Sequence, residues 1–211
     1  MTTSVQQNFA DVSGDARITK TMEALATNGY LPEVVATKAD ALAKIKELIP
    51  KNASVMNGSS QTLEQIGFVD YLKEGAHGWN NLHENILKEA DSEKQAKLRK
   101  ESVLSDFYLG SVHALTESGE MIIASNTGSQ LPHIVFTSQN VIFVVGGQKI
   151  VSDIMVGFER IEKHIIPLED VNIMEKYNMH TQHSKSVILH KENAMMGRKV
   201  HVIIVKESLG F

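Results

Sequence analysis

Apolar residues recur along this chain at two spacings, and the alternation between them outlines its secondary structure. Ile18, Met22 and Leu25 share one helical face within residues 17–26, and Gly29 supplies a stop. Val34 and Val35 mark a short strand within residues 30–36. Thr37 and Asp40 form a capping-box pattern, with Asp in place of Glu. The helix they open carries Ala41, Leu42, Ile45, Leu48 and Ile49 inward until Pro50 ends it. The apolar run at residues 53–56 predicts a buried strand, followed by the polar loop Asn57-Gly58-Ser59-Ser60. Thr62 and Gln65 predict a second capping box, for a helix carrying Leu63, Ile66, Val69 and Leu72. Strand, small-residue loop and helix make one βα unit, which points to an α/β fold with a parallel sheet.

Residues 83–104 read as one charged helix, and residues 106–114 as extended. Residues 117–120 are a turn, with a second strand at residues 121–124 beside it. Val141 to Val145 is the clearest buried strand, punctuated by Gly146 and Gly147. Residues 152–161 predict a helix with Ile154, Phe158 and Ile161 inward, and Pro167 closes this body. Beyond it only residues 200–205 read as a strong strand. The expected organisation is a flexible start at residues 1–15, an α/β domain at residues 16–170, and a C-terminal segment at residues 171–211 that completes it.

Composition narrows the function classes. The chain has 211 residues, 42% of them hydrophobic, and no visible linker, which favours one main domain. Net charge is 21 − 25 = −4 with no basic run, so a nucleic-acid backbone binder is not expected. The longest apolar runs fall far below the roughly 20 residues that a bilayer requires. The first residues lack a signal-peptide pattern, so no membrane and a cytoplasmic location are expected. There is no cysteine, which excludes disulfides, a thiolate nucleophile, Cys-ligated zinc and a self-held iron–sulfur cluster.

Four loops could carry chemistry, and each has an ordinary structural reading beside the functional one. Asn57, Gly58, Ser59, Ser60 and Thr62 combine small residues, hydroxyls and a helix start, which suits a phosphate or carboxylate; a capped βα turn has the same look. Glu117, before Ser118 and Gly119, could act as general base or nucleophile, or simply sit in a polar hairpin turn. Asn126 and Gly128 belong to a loop that either faces a substrate or lies on the surface. Lys149 follows the buried strand, where ligands of α/β sheets gather, or is a solvated turn lysine. His113 and His133 flank the two central loops. His180 and His183 stand three apart with His190 beyond, but without helical patterning or adjoining carboxylates, so no metal is expected.

The order of these segments is more specific than any one of them. Residues 54–67, SVMNGSSQTLEQIG, resemble the GGSxTLEEIG signature of the lactate-utilisation protein C family, the LUD domain. Residues 106–120, DFYLGSVHALTESGE, are similar to its DxxxxSxNAxTExGE segment. Asn126 to Ser129 sits where that family has GTGN. Lys149-Ile150-Val151, Glu159-Arg160-Ile161 and Pro167 match its following pattern, and residues 197–211 resemble the ending of some members.

The resemblance implies an open, mostly parallel α/β sheet flanked by helices, related to the NagB, ribose-5-phosphate isomerase and CoA-transferase group. It implies a role in oxidising L-lactate to pyruvate beside iron–sulfur oxidoreductase partner subunits. It also implies, weakly, a nucleophile at Glu117 by likeness to the Ser-Glu-Asn-Gly motif of CoA-transferases. The chain departs from the pattern at Asn57, His113, Ser129 and Leu168-Glu169-Asp170, and in lacking the Cys pairs that many members with this tail carry.

Three functions compete: an accessory or catalytic subunit for lactate oxidation, a stand-alone CoA-transferase-like or sugar-phosphate isomerase-like enzyme, and a non-catalytic ligand-binding module. All three take a small anionic ligand, carboxylate or phosphate, at Asn57, Gly58, Ser59, Ser60, Thr62, His113, Asn126, Gly128 and Lys149. None calls for a bound cofactor, and a homo-oligomer is a further expected partner state.

Overall fold

The computed structural model describes residues 8–211; residues 1–7, most of the expected flexible start's first half, lie outside the described residues. In chain order the elements are α1 (Asp15–Thr27), β1 (Leu31–Val35), α2 (Lys38–Leu48), β2 (Ser54–Asn57), α3 (Gln61–Gln65), α4 (Phe68–Glu74) and β3 (Asn80–Asn81). Then come α5 (Leu82–Lys88), α6 (Ser92–Glu101), β4 (Phe107–Gly110), β5 (Ala114–Thr116), β6 (Met121–Ser125), β7 (Asn140–Gly146) and β8 (Ile150–Val151). The chain ends with α7 (Ile154–Arg160), α8 (Ile166–Tyr177), β9 (Lys185–Leu189) and β10 (Lys199–Val205).

Six strands form one open sheet in the order β1-β10-β7-β4-β2-β3, every pair parallel. Its centre reads as a continuous apolar run because both faces are covered. Along β7, Ile142 and Val144 enter the core under α2, α3 and α4 with Ile45, Leu63 and Phe68. Val141, Phe143 and Val145 enter the opposite core with Ile18 and Leu25 of α1 and Leu115 and Ile123 of β5 and β6. The two-residue period of a strand divides them. A second, four-stranded mixed sheet, β8-β5-β6-β9, lies on that side, and its Ile122 and Val151 form a third core with Ile154 and Phe158 of α7 and with Ile161, which follows α7. Among the described residues no helix is long and apolar enough to cross a membrane.

Several expected boundaries move. Ser60, not Thr62, caps α3: its backbone is extended and its hydroxyl accepts the Leu63 N–H at 3.4 Å, while Thr62 is buried inside the helix. Gly67, at φ +79, breaks the expected single helix into α3 and α4. The charged helix of residues 83–104 is two helices, because Asp91 caps a new start by accepting the Glu93 and Lys94 N–H groups. Pro167 closes nothing. Helix α7 runs through a π turn (Ile161–Ile165) into α8, and Pro167 falls in the first turn of α8, directly after that π turn, without ending the helix. After it lie most of α8, the edge strand β9 and β10, which sits inside the main sheet between β1 and β7.

Candidate functional site

Because the main-sheet strands are parallel, their carboxyl ends share one edge. There β2, β4, β7 and β10 deliver the Gly58–Thr62 loop, Ser111, Lys149 and the chain's last residues to one place. They meet in a cleft of about 420 Å³, which residues of the π turn and α8 also line.

Lys149 lies at the base of this cleft, 4% exposed. Its ammonium donates to Thr62 Oγ1 (3.0 Å), Ser111 Oγ (3.0 Å) and the Val112 carbonyl (3.2 Å). All three acceptors are neutral. Burial, assisted by Arg160, pushes its pKa down to about 7. Arg160 itself is fully buried; Nη1 donates to the His113 carbonyl at 2.7 Å, and Nε and Nη2 have no partner among the described residues. Neither cation forms an ion pair with a described carboxylate. The buried Lys149 and the buried Arg160 behind it thus have no counter-charge among the described residues, an arrangement that electrostatics disfavours unless the lysine gives up its proton or an anion completes the site.

His113 faces the cleft with fixed roles. Its Nδ1 accepts the Ala124 N–H at 3.1 Å, so the neutral ring keeps its proton on Nε2. Burial, followed by Lys149, Arg160 and His183, pushes its pKa down to about 3, so it remains a neutral donor near pH 7. Ser60 uses its oxygen as a helix cap, which leaves its O–H proton free to donate. Helix α3 has five residues, too few for a large dipole, so the site's positive character comes from Lys149. The cleft also contains one acid, Glu169, whose pKa is raised chiefly by burial and whose carboxylate accepts from Asn172 Nδ2 at 3.0 Å.

The structure therefore brings Gly58, Ser59, Ser60, Thr62, His113, Asn126 and Lys149 to one cleft. Asn57 faces a neighbouring cavity. Gly128, at φ +85, shapes the turn beneath Lys185, away from the lining. Glu117 is not brought to the cleft: its carboxylate sits at the β5–β6 turn, bound by Arg17 Nε (2.7 Å) and Lys20 Nζ (2.8 Å), which hold its pKa below the usual range. His180, His183 and His190 lie beside three different carboxylates, those of Asp170, Glu162 and Glu120.

The sequence reading missed Ser111, Glu169 and the tail as residues of the cleft, and Arg160 as the buried cation behind His113. Ser111 and Arg160 stand inside the matched motifs, which was the available signal. The tail gave only a Leu-Gly-Phe ending. Gln148 clamps Leu209, donating to its carbonyl at 2.8 Å and accepting its N–H at 3.2 Å. Gly210, at φ +68, then lies against Thr62 and Lys149, and Phe211 lines the cleft.

The LUD domain family model matches residues 18–205. Among solved structures the chain is similar to the crystal structure of a DUF162 family protein from Deinococcus radiodurans, with 11% sequence identity and a TM-score of 0.56 over 92% of this chain and 99% of that one. At that identity the likeness is one of fold. No curated protein matches.

Proposed function

This chain belongs to the LUD domain family, and from that premise we propose that it serves L-lactate utilisation as a cytoplasmic subunit holding a small carboxylate or phosphate in the Lys149 cleft. The observation that carries the anion is the buried Lys149 ammonium, solvated only by neutral groups. Thr62 and Ser111 hold that ammonium in place. The Ser60 hydroxyl and His113 Nε2–H are the donors available to the ligand's remaining oxygens.

Oxidation of lactate to pyruvate removes two electrons, and a chain without cysteine has no thiolate to hold an iron–sulfur cluster. In this reading the two electrons, released together with two protons, pass to iron–sulfur oxidoreductase partner subunits, and this chain binds the acid. A transferase or isomerase built on Glu117 finds no support in the geometry, because that carboxylate is outside the cleft and neutralised by two cations.

A thermal-shift titration at pH 6.5 with L-lactate, pyruvate and inorganic phosphate tests the binding reading. At a hundredfold excess over Kd, a ligand stabilises by about 2.7 kcal/mol. A shift with at least one of the three is expected, and none with any would overturn it. Deleting the gene should impair growth on L-lactate; normal growth would overturn the metabolic assignment.

A further inference from the structure

Three side chains that take no part in holding Lys149 are linked by two short contacts. His183 Nδ1 lies 2.6 Å from Glu162 Oε1, and His183 Nε2 lies 2.6 Å from Ser186 Oγ. Glu162 comes from the π turn, Ser186 from β9, and His183 from just before β9, where it also lines the Lys149 cleft. We propose that Ser186, His183 and Glu162 form a nucleophile–base–acid triad that hydrolyses esters of short-chain carboxylic acids at the rim of that cleft. This activity is separate from anion binding at Lys149 and does not require it.

The proton order follows from the contacts. An ionised carboxylate has no proton to give, so His183 Nδ1 carries the ring proton and donates it to Glu162. Nε2 of the neutral ring is then the acceptor, and the Ser186 O–H donates to it. Nucleophile, base and orienting acid thus stand in the sequence of contacts that acyl transfer uses. In the first step a bond forms from Ser186 Oγ to the acyl carbon while the hydroxyl proton passes to Nε2. The bond from that carbon to the leaving oxygen breaks, and the departing alcohol takes the proton. Water then attacks the acyl-serine, gives a proton to Nε2 and releases the acid, and Nε2 returns the proton to Ser186 Oγ.

Strand register supplies a donor for the developing oxyanion. Ser186 stands opposite Ala124 in the antiparallel β6–β9 pair. The Ala124 N–H turns away from β9, to His113 Nδ1 at 3.1 Å, so the two residues form a non-hydrogen-bonded pair. The Ser186 N–H therefore points out from β9, whose outer edge pairs with no other described strand. Ser186 itself is exposed, so an ester can reach it. Ala124 shares its face of the sheet, and Ala124, Ile161 and Ile165 line the cleft as one apolar group. An acyl carbon at Ser186 has that wall on one side and solvent on the other, which suits a short uncharged acyl chain and an alcohol free to depart.

The test measures release of nitrophenolate from nitrophenyl acetate and nitrophenyl butyrate by the full chain at pH 7.5, and labelling by diisopropyl fluorophosphate located by peptide mass spectrometry. Saturable hydrolysis and a phosphoryl adduct on Ser186 are expected. Ser186→Ala and His183→Ala, each shown to be folded by circular dichroism, should lower kcat by about a hundredfold or more, and His183→Ala should leave Ser186 unlabelled. Glu162 acts through His183 as a positioning residue. Glu162→Gln presents an amide that can donate to Nδ1 and so turn the ring proton toward Ser186; kcat should fall about tenfold or more with KM unchanged. A wild type that hydrolyses neither ester, an unlabelled Ser186 in the wild type, or hydrolysis that survives in Ser186→Ala overturns the proposal. Labelling of Ser186 that persists in His183→Ala, or a kcat within twofold in Glu162→Gln, overturns the triad.

Discussion

A lysine buried to 4% exposure among neutral acceptors is unfavourable as a cation and finds relief either by losing its proton or by gaining an anion. The two alternatives compete, and the sign follows. Only the ammonium attracts the ligand, and with a free-state pKa of about 7 the ammonium is lost as pH rises. Affinity for phosphate or lactate should therefore fall on the order of tenfold per pH unit above pH 7; calorimetry at pH 6.5, 7.5 and 8.5 measures this, and a flat profile contradicts it. Glu117 offers the opposite control. Its ion pairs are only partly buried, so Glu117→Gln should change stability by no more than about 1 kcal/mol, seen in urea titration, and leave anion affinity within twofold. A much larger loss of affinity would return Glu117 to the site. That Ser59, Ser60, Thr62 and Lys149 lie together at the sheet's carboxyl edge was legible, because each follows a recognisable strand. The fate of Glu117 was not, because Arg17 and Lys20 reach it from a helix about a hundred positions earlier.

At the scale of elements, local pattern recovered whatever local forces decide. The Thr37–Asp40 capping box forms as read, its hydroxyl and carboxylate exchanging bonds with the backbone. The strand at residues 141–145 was plain because burial on both faces leaves no polar positions in it. The errors lie where a local signal has two outcomes. Gly67 could stay helical or turn left-handed, and Pro167 could end a helix or sit in its first turn. The position of β10 depends on pairing across some sixty residues to β7 and on to β1, which no local window contains. Its central location makes a prediction. Ile204 is fully buried in the core with Phe143 and Ile18, so Ile204→Ala should cost about 2–5 kcal/mol in urea unfolding. A loss below 1 kcal/mol would mean that β10 is a dispensable appendage.

Across the whole molecule the net charge is −4, yet the cleft is built around a cation, so ligand attraction comes from the buried site rather than the overall field. The same burial governs acid stability. His113 and His133 are pushed down, chiefly by burial, to about 3 and about 4, whereas in the unfolded chain they titrate near 6.5. Between those limits the unfolded state binds more protons, so stability is present at pH 7 and is lost as pH falls below about 6.5. Urea midpoints at pH 7.0 and pH 5.0 check this, with a lower midpoint expected at pH 5.0 and equal midpoints against it. The α/β class and its parallel sheet could be read from one βα unit. The second sheet could not, since β5, β8 and β9 are short strands far apart in sequence, joined only in space.

The most direct measurement is the binding of L-lactate, pyruvate and inorganic phosphate to the wild type and to Lys149→Met, by calorimetry at pH 6.5, with circular dichroism confirming that both are folded. The cleft described here predicts that the wild type binds at least one of these anions and that the folded variant binds it at least a hundredfold more weakly. Binding that survives in Lys149→Met within a few-fold would contradict it.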